Sequence, residues 1–421
     1  MQQMSLGASE PASSSYEAVQ PAWPPQATRA QGLEQLAAFS SKAGRAYQTH
    51  RNSDLGSGRH GHVSLLSPFL RHRLIDENDV LSRVLAEHSQ SEAFKFVQEV
   101  FWRSYWKGWL EQRRLLWPEY QQQLPKIFQR ATQNRRESND YTAAVNGATH
   151  IPVFNEWCEE LIRTGYLHNH ARMWFASIWI FTLKLPWQLG ADFFVRHLID
   201  GDPASNTLGW RWVAGLQTQG KIYVAKADNI KLFTNNRFFP NGELNESPVF
   251  ENHLWKTYEK SSNILYENPN FSTGNDIGLV LNKNDLTLNH YLSDKQIRFE
   301  GCIFYDPKYQ ESKSLAVQKF ESGLIESLSL ALKDFYFCQT KKSLVSWAKG
   351  KKLRYLIFPF ETVGNKYFMT SEFINELRSQ NIEPIFYMRD WDSSAFPYAS
   401  KGFFPFKKNI SDLLVRNRVI Q

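Results

Sequence analysis

Apolar residues recur at helical spacing over the first half of the chain. From about 31 to 227 they follow the i, i+3, i+4, i+7 pattern, most clearly over 91–114 and 153–185, and this pattern is typical of amphipathic helices. After Met173 the chain is apolar nearly all round, so we expect that helix to lie deep in its domain. The pattern predicts a mainly α-helical domain over residues 31–250.

The pattern changes near Phe299. From there, short apolar runs rich in aromatic residues alternate with helical segments, which predicts a smaller α/β domain with a parallel sheet over 298–421. Residues 228–297 are rich in Asn, Pro, Gly and Asp, which predicts long surface loops, and we expect 251–297 to form a loop-rich connector. Residues 1–30 are rich in Ser, Ala, Pro and Gln, and we expect them to form a disordered tail.

Composition narrows the classes of function only slightly. The net charge of +7 permits an anionic partner such as nucleic acid without requiring one. Cys158, Cys302 and Cys338 lie far apart with no CxxC pair, which indicates a reducing cytoplasm and argues against structural zinc or an iron–sulfur cluster. No apolar run reaches transmembrane length. We therefore expect a cytoplasmic protein with no membrane partner and no metal.

Gly56, Gly58 and Gly61 match the G-x-G-x-x-G spacing of dinucleotide-binding turns. That turn needs a strand before it and a helix that opens on its last glycine, and the residues before Gly56 have no strand pattern. We interpret the segment as a flexible polar loop. Ser64 and Ser67, which follow it, could cap a helix start whose free N–H groups face phosphate.

The segment 198–212, LIDGDPASNTLGWRW, concentrates polar and aromatic side chains. Asp202 followed by Pro203 predicts the N-cap and the first residue of a helix. Asn206 and Trp210 then share one helix face at i, i+4. On these residues alone, Asp202 could be only a cap and Asn206 only an amide of the core.

Four motifs, in order and with compatible spacing, resemble the FAD-binding domain of the photolyase/cryptochrome family over Tyr47–Thr234. VSLLSPFL at 63–70 resembles the family's phosphate-side helix start, and QEVFWRSYW at 98–106 resembles its substrate-side helix. GYLHNHARM at 165–173 resembles its His-Asn turn, and 198–212 resembles its Asp-Gly-Asp core. The C-terminal α/β part resembles the family's antenna domain, in an order that looks circularly permuted.

The resemblance implies that FAD lies folded in the helical domain. Asp200 would pair with Arg172 beside the isoalloxazine ring, since a buried carboxylate needs a partner. Asn206 would face the flavin N5 and stabilise reduced flavin. The residues that the resemblance assigns to FAD are Tyr47, Ser64, Leu66, Ser67, Asn169, Arg172, Asp200, Asp202 and Asn206. Whether the α/β domain holds an antenna pigment of the folate or deazaflavin type stays open.

The resemblance also implies damaged DNA as the partner and a light-driven reaction. Glu99 would hydrogen-bond the pyrimidine bases, while Trp102 and Trp212 would form a wedge against a flipped-out dimer. The His-Asn turn lacks the second His that (6-4) enzymes use for proton transfer, which favours the cyclobutane dimer. The implied substrate-binding residues are Arg51, Glu99, Trp102, Asn169 and Trp212, and the implied catalytic residues are Glu99, Trp102, Met173, Trp187, Asn206, Trp210 and Trp212.

Trp210 and Trp187 match the first two members of the family's electron relay. No tryptophan stands near Asn134, where the third member would fall. Trp117, Tyr120 or Tyr141 could replace that third member.

Basic residues are concentrated near the substrate-side helix. Between Glu99 and Glu137, eight Lys or Arg stand against four Glu, a balance that suits salt-sensitive contacts with DNA phosphates. The alternative for most of them is a solvated charged face. These residues are Arg103, Lys107, Arg113, Arg114, Lys126, Arg130, Arg135 and Arg136.

The sequence also departs from the family pattern. Val63 and Leu65 stand where the family has a hydroxyl and a longer polar residue near the FAD phosphates, and His170 replaces an arginine. We expect a monomeric enzyme that repairs cyclobutane dimers by electron transfer from photoexcited reduced FAD. The alternatives are a cryptochrome-like blue-light photoreceptor that binds FAD without repair, and a flavoprotein that binds nucleic acid but has lost activity.

Overall fold

The structure is a computed structural model that describes most of the chain. The described residues are 23–261, 268, 276–307, 312–332, 335–365 and 370–420. A helical half comes first, and a five-stranded parallel sheet with its helices follows it. Among the described residues, every helix is too short or too polar to cross a membrane. Most of the predicted tail, residues 1–22, lies outside the described residues.

The helical half contains the helices that we number α1 to α12. They are α1 Arg29–Ser40, α2 Arg45–His50, α3 Ser67–Arg71, α4 Glu77–Glu87, α5 Gln90–Glu111, α6 Leu116–Gln133, α7 Arg135–Val145, α8 Pro152–Thr164, α9 Asn169–Ser177, α10 Trp187–His197, α11 Pro203–Val213 and α12 Ala227–Phe233. A π-helical turn, Ile178–Thr182, follows α9 directly. The prediction of a mainly helical first half is confirmed.

Local sequence rules account for where two important helices begin. α5 begins with a capping box, in which the Ser89 hydroxyl accepts from the Glu92 backbone N–H and the Glu92 carboxylate accepts from the Ser89 backbone N–H. α11 begins at Pro203, and the Asp202 carboxylate accepts a hydrogen bond from the Ser205 N–H at 2.9 Å. The predicted cap and first helical residue of α11 are both present.

The apolar stretch 153–185 is divided into several pieces. α8 ends at Thr164, and the next residue, Gly165, has a φ of 71° in the left-handed region that favours glycine. α9 begins after a short loop and passes into the π-helical turn. Trp174, Phe175 and Trp179 in these pieces are fully buried, which confirms the expected deep position.

The second half is built on a parallel sheet with strand order β3-β2-β1-β4-β5. Its strands are β1 Ile277–Leu281, β2 Gly301–Tyr305, β3 Tyr336–Cys338, β4 Tyr355–Pro359 and β5 Glu383–Tyr387. Its helices are α13 Leu288–Asp294, α14 Leu315–Ala331, α15 Lys341–Gly350, α16 Ser371–Ser379, α17 Asp390–Ala395, α18 Phe403–Lys407 and α19 Ile410–Arg416. The predicted parallel sheet is confirmed. β1 and β4 are neighbours at its centre, with Ile277 in register with Tyr355.

Two segments that were predicted to be irregular contain packed structure. β1, which lies within 251–297, is buried along its whole length, so this segment supplies a central strand and is not only a connector. Its short apolar run was hidden by the surrounding Asn, Pro and Gly residues.

In the predicted tail, the Trp23 indole N–H donates to the Thr164 carbonyl at 3.0 Å, and Ala27 is buried. Trp23 therefore contacts the helical half, and Ala27 packs beside Gly323 of α14.

The two halves share one hydrophobic core. Phe69 of α3 packs edge-on against Phe320 of α14 with 6.5 Å between ring centroids. Phe101 of α5 stacks on Trp391 of α17 with 4.8 Å between centroids. Buried residues from both halves form a continuous cluster. The C-terminal helices therefore pack against α5, the helix that carries Glu99 and Trp102.

Candidate functional site

Asp202 lies at the centre of a buried cluster of charges. Its carboxylate oxygen is 3.8 Å from Arg103 Nη1 and 3.7 Å from Lys107 Nζ. Burial opposes ionisation, but Lys107, Arg103 and Arg71 together hold the pKa of Asp202 well below its ordinary range. Burial, reinforced by Arg103, lowers the pKa of Lys107 to about 8. The cluster therefore keeps a charged carboxylate at the start of α11.

Asp200, two residues earlier, pairs with Arg172 of α9. Arg172 Nη2 donates to Asp200 Oδ2 at 2.9 Å, and Arg172 Nε donates to the Leu167 carbonyl at 2.8 Å. The Asp200 carboxylate is buried, while the Arg172 side chain is 24% exposed. The expected pair is therefore present, and the guanidinium keeps an accessible edge for a ligand.

Asn206 is held by α10. Its side-chain nitrogen donates to the Ala191 carbonyl at 2.7 Å. A carbonyl can only accept, so this bond fixes the amide orientation and leaves the Asn206 oxygen to accept from a ligand. One turn later, a Cβ placed on Gly209 would meet no atom within 4 Å among the described residues. This face of α11 therefore has both an oriented acceptor and free space beside it.

Several buried polar atoms around the same turn have no hydrogen-bond partner among the described residues. They are Arg103 Nε, Asp200 Oδ1, Asp202 Oδ2, Ser205 Oγ and Trp210 Nε1. Ion pairs with Lys107, Arg103 and Glu77 account for Asp202 Oδ2 and Arg103 Nε. Because buried polar atoms are nearly always satisfied in native proteins, the other three atoms are available to a polar ligand. Donors and acceptors are both present, as the ring carbonyls, ring N–H and hydroxyl groups of FAD require. The residues of this turn therefore fit the cofactor that the sequence implied.

The residues expected on the phosphate side lie on the chain that leads into α3. α3 begins at Ser67 with Leu66 as its N-cap residue, and no side-chain hydrogen bond caps it in the described structure. The Ser64 hydroxyl accepts from the Leu66 N–H at 3.4 Å. The prediction that Ser64 or Ser67 caps this helix is wrong, because Leu65 turns the chain with a φ of 55° and makes Leu66 the cap.

Glu99 is an exposed residue of α5, close enough to Tyr47 and Arg51 to interact with them electrostatically. Its side chain keeps an exposed surface, yet burial by the surrounding protein raises its pKa, against the opposing effect of Arg51 and Lys95. A raised pKa makes the protonated form, which can donate a hydrogen bond, easier to reach. Tyr47 itself is buried in the core. Glu99 therefore offers an accessible carboxyl group to a ligand.

Three further residues of the expected substrate side remain partly accessible. Asn169, at the start of α9, is exposed, and Met173, one turn later, is half-buried. Trp212 is half-buried and stacks on Tyr223 with 5.5 Å between ring centroids. These side chains are free to meet a ligand without rearrangement of their helices.

Trp102 is covered on one face by the C-terminal segment. The ring of Phe403 in α18 stacks on it with 3.7 Å between centroids and 10° between planes. Trp106 and Tyr105 lie against the same indole, with centroids 5.1 and 5.4 Å away. Only the part of Trp102 that Phe403 leaves uncovered is available to a nucleobase. The protein itself therefore occupies part of the predicted wedge.

An aromatic route leads from α10 toward the protein exterior. Trp187 stacks on Tyr120 with 5.6 Å between centroids, and Tyr120 contacts Trp117 at 5.3 Å. Trp210 packs so closely on α10 that a Cβ on Gly190 would lie 2.2 Å from its ring. Tyr120 thus contacts Trp187 and Trp117 contacts Tyr120. These are two of the three residues that could replace the missing relay member.

Trp179 adds a second aromatic route that the sequence did not reveal. Its ring lies edge-on to Trp210 at 6.0 Å and to Tyr141 at 6.1 Å. Trp179 is fully buried, and in the sequence it stands within a continuous apolar run. Nothing in that run distinguished Trp179, which lies beside Trp210 and Tyr141, from an ordinary core tryptophan.

Arg103 and Lys107 were predicted on a DNA-facing surface, and for these two residues the prediction is wrong. Both side chains are largely buried and lie against Asp202. The signal that could have placed them was their spacing, since Glu99, Arg103 and Lys107 repeat at i, i+4 along one face of α5. In contrast, four of the other basic residues are exposed, namely Lys126, Arg130, Arg135 and Arg136. Their contact with DNA stays a prediction.

A cavity of about 670 Å³ adjoins Asn206 between the two halves. Asn206, Trp117 and Tyr120 line it on the helical side, and Val317 and Gly364 line it on the side of the sheet. Its volume is within the range of small-molecule sites. The outer end of the Trp187–Tyr120–Trp117 route therefore reaches the wall of a cavity.

Comparison with known families matches residues 96–241 to the FAD binding domain of DNA photolyase. The deoxyribodipyrimidine photo-lyase of Alkalihalophilus pseudofirmus is 27% identical over 238 residues, which cover 54% of this chain and 48% of that protein. The Vibrio cholerae deoxyribodipyrimidine photo-lyase is 26% identical over 225 residues, which cover 48% of this chain and 45% of that protein. The chain spans about half the length of the curated relatives it matches.

Among solved structures, a bacterial class III photolyase from Agrobacterium tumefaciens aligns with 26% identity and a TM-score of 0.41. That alignment covers 51% of this chain and 43% of that one.

Proposed function

The chain belongs to the photolyase/cryptochrome family, and from this premise we propose that it repairs cyclobutane pyrimidine dimers in DNA under blue light. The observation that carries the proposal is the oriented Asn206 amide beside the Arg172–Asp200 pair, where Asp200 Oδ1 has no hydrogen-bond partner among the described residues. When bound, reduced FAD would supply one electron under light and recover it at the end of the reaction, so repair would need no net oxidant or reductant.

We assign the flavin ring to the face of α11 that carries Asn206 and Gly209. The Arg172–Asp200 pair would lie at the edge of the ring, and the Asn206 oxygen would accept a hydrogen bond from it. Arg103 and Lys107 would add positive charge for an anionic cofactor. The support for this assignment is the fixed amide of Asn206 and the open space at Gly209.

We assign the damaged bases to the surface that carries Glu99. Its raised pKa suits a carboxyl group that donates to a pyrimidine carbonyl. Asn169 of α9 and Trp212 of α11 are also accessible. They would add an amide and a stacking surface to the site, and stacking is worth roughly 1–3 kcal/mol per base. Arg51 would contact a phosphate of the strand.

The proposal is tested by illuminating the reduced, FAD-loaded protein with oligothymidine that contains cyclobutane dimers. We expect thymine absorbance to recover in the light and not in the dark. Glu99→Ala should lower the repair rate about tenfold or more, because it removes the hydrogen bond that we assign to the substrate. The matched control is Glu159→Ala, which removes an exposed carboxylate of α8 and should repair like the wild type.

One observation favours a second candidate, a cryptochrome-like photoreceptor that binds FAD without repair. Phe403 covers one face of Trp102, and a protein that accepts no dimer has no need to keep that face free. FAD binding without recovery of thymine absorbance, in the wild type and in Phe403→Ala alike, would exclude the repair enzyme and support the photoreceptor.

We propose that electrons reach the cofactor through Trp210, Trp187, Tyr120 and Trp117. Tyr120→Phe keeps the ring packing on Trp187 but removes the oxidisable phenol, so we expect photoreduction of the bound flavin to slow by several-fold. Tyr141→Phe, on the route through Trp179, serves as the control and should leave the rate unchanged. Flash photolysis of oxidised, FAD-loaded protein measures both rates. If Tyr141→Phe alone slows photoreduction, the electrons travel through Trp179 instead.

We also propose a cytoplasmic location. The three cysteines, Cys158, Cys302 and Cys338, are free thiols in the structure. Burial raises the pKa of each to about 12, so they are poor nucleophiles. Unpaired, unreactive thiols suit a reducing compartment.

A further inference from the structure

The carboxyl ends of β1 and β4 meet where the strand order of the sheet reverses, which is where open parallel sheets commonly bind ligands. In this protein the segment Arg71–Arg73 of the helical half lies at that place. His72 Nδ1 is 2.6 Å from the Lys283 carbonyl oxygen, and the Thr287 hydroxyl donates to the Arg73 carbonyl at 2.8 Å. The α/β half therefore uses this crevice to hold part of the helical half.

Arg71 is the buried centre of this contact. Its Nη1 donates to the Asn284 side-chain oxygen at 3.0 Å, and its Nη2 donates to the Asn365 side-chain oxygen at 2.9 Å. Asn284 follows β1 and Asn365 follows β4. On its other side, Arg71 Nε donates to the Gly201 carbonyl at 2.9 Å. One guanidinium thus joins two loops of the sheet to the central residue of the turn 200–202.

The loop after β4 makes a second contact with the start of α11. Gly364 has a φ of 95°, and a Cβ placed on it would lie 2.6 Å from the Cβ of Pro203. The next residue, Asn365, is buried, and its side-chain nitrogen donates to the Thr362 hydroxyl at 3.3 Å. Residues 362–365 of this loop therefore hold one another and pack directly beside the residues that Arg71 holds.

We propose that Arg71 is a positioning residue, through which the α/β half fixes the turn 200–202 and sets how tightly the helical half binds FAD. This inference rests on the proposed flavin site. A planar guanidinium suits the task because its rigid fork can hold several acceptors at once. Asn284 and Asn365 act on the cofactor through Arg71, so substitutions in the α/β half should change the flavin site.

Asn365→Ala tests the inference without altering a residue assigned to FAD. We expect about tenfold weaker FAD affinity, which corresponds to the loss of one hydrogen bond to a charged group. The midpoint potential of the bound flavin should also shift. Titration of the apoprotein with FAD and spectroelectrochemistry measure the two quantities. Asn365→Asp keeps an acceptor for Arg71 and should bind FAD within about threefold of the wild type.

Asn268→Ala is the matched control. Asn268 makes two hydrogen bonds with the backbone of Met388, at 2.7 and 2.8 Å, so its loss perturbs the α/β half without touching Arg71. It should bind FAD like the wild type. Arg71→Lys, which keeps the charge but not the fork, provides a second variant and should weaken FAD binding at least as much as Asn365→Ala.

Two results would overturn the inference, and they are distinguishable. If Asn365→Ala and Arg71→Lys match Asn268→Ala in FAD affinity and in potential, Arg71 does not position the flavin site. If the wild type and Asn268→Ala take up no FAD at all, the proposed function fails and the inference fails with it.

Discussion

Replacing Asp202 with Ala is expected to lower the free energy of unfolding by about 3–5 kcal/mol, because a buried charge cluster loses its carboxylate. Arg103 and Lys107, at 3.8 and 3.7 Å from that carboxylate, would be left without it. α11 would also lose its N-cap, which by itself is worth about 0.5–2 kcal/mol. Urea unfolding of the apoprotein, followed by circular dichroism, measures the change.

Two further variants separate the causes of this loss. Asp202→Asn keeps a side-chain oxygen for the cap but removes the charge, so its effect should be smaller than that of Asp202→Ala. Asp140→Ala removes an exposed carboxylate 3.9 Å from Arg136 and should cost less than about 0.5 kcal/mol. If Asp202→Ala costs no more than Asp140→Ala, the cluster does not stabilise the fold in the way its geometry indicates.

The features that could be predicted from the sequence are set by neighbours along the chain. The cap at Asp202 and the helix start at Pro203 follow from the preferences of adjacent residues, and both are present. Parallel strands separated by helices also leave a local pattern, and the sheet is confirmed. The Arg172–Asp200 pair came from the family resemblance, since 28 residues separate the two side chains in the sequence.

The features that could not be predicted depend on contacts between distant residues. β1 is short and lies among loop-forming residues, so only its place between β2 and β4 shows that it is a central strand. Phe403 stacks on Trp102 although about three hundred residues lie between them in the sequence, and no local pattern encodes that contact. The same holds for the bond from Arg71 to Asn365.

Arg103 and Lys107 show how composition misleads at a functional site. Counting basic residues near Glu99 suggested a surface for DNA, but a count does not record which helix face a residue occupies. The i, i+4 repeat places both cations on one face of α5, toward Asp202. Burial then separates them from Lys126 and Arg130, which remain exposed.

Replacing Asn206 with Asp is expected to lower the midpoint potential of the bound flavin by more than about 100 mV. The Asn206 amide is fixed because its nitrogen donates to the Ala191 carbonyl, and a carboxylate has no proton for that carbonyl. A negative charge about 4 Å from a ring that gains an electron opposes reduction by about 4 kcal/mol at an effective dielectric constant of about 20. A one-electron step changes by about 59 mV for each 1.4 kcal/mol, so the expected shift is easily measured by spectroelectrochemistry.

Two controls decide whether this shift comes from charge beside the ring. Asn206→Ala removes the acceptor without adding charge, so its potential should lie between those of the wild type and Asn206→Asp. Asn229→Asp adds the same charge in α12, where Asn229 accepts from the Trp174 indole at 3.0 Å, and should leave the potential near the wild-type value. Because the two Asp variants have the same net charge, equal potentials for both would mean that Asn206 does not face the flavin, and the assignment of the ring to this face of α11 would then be wrong.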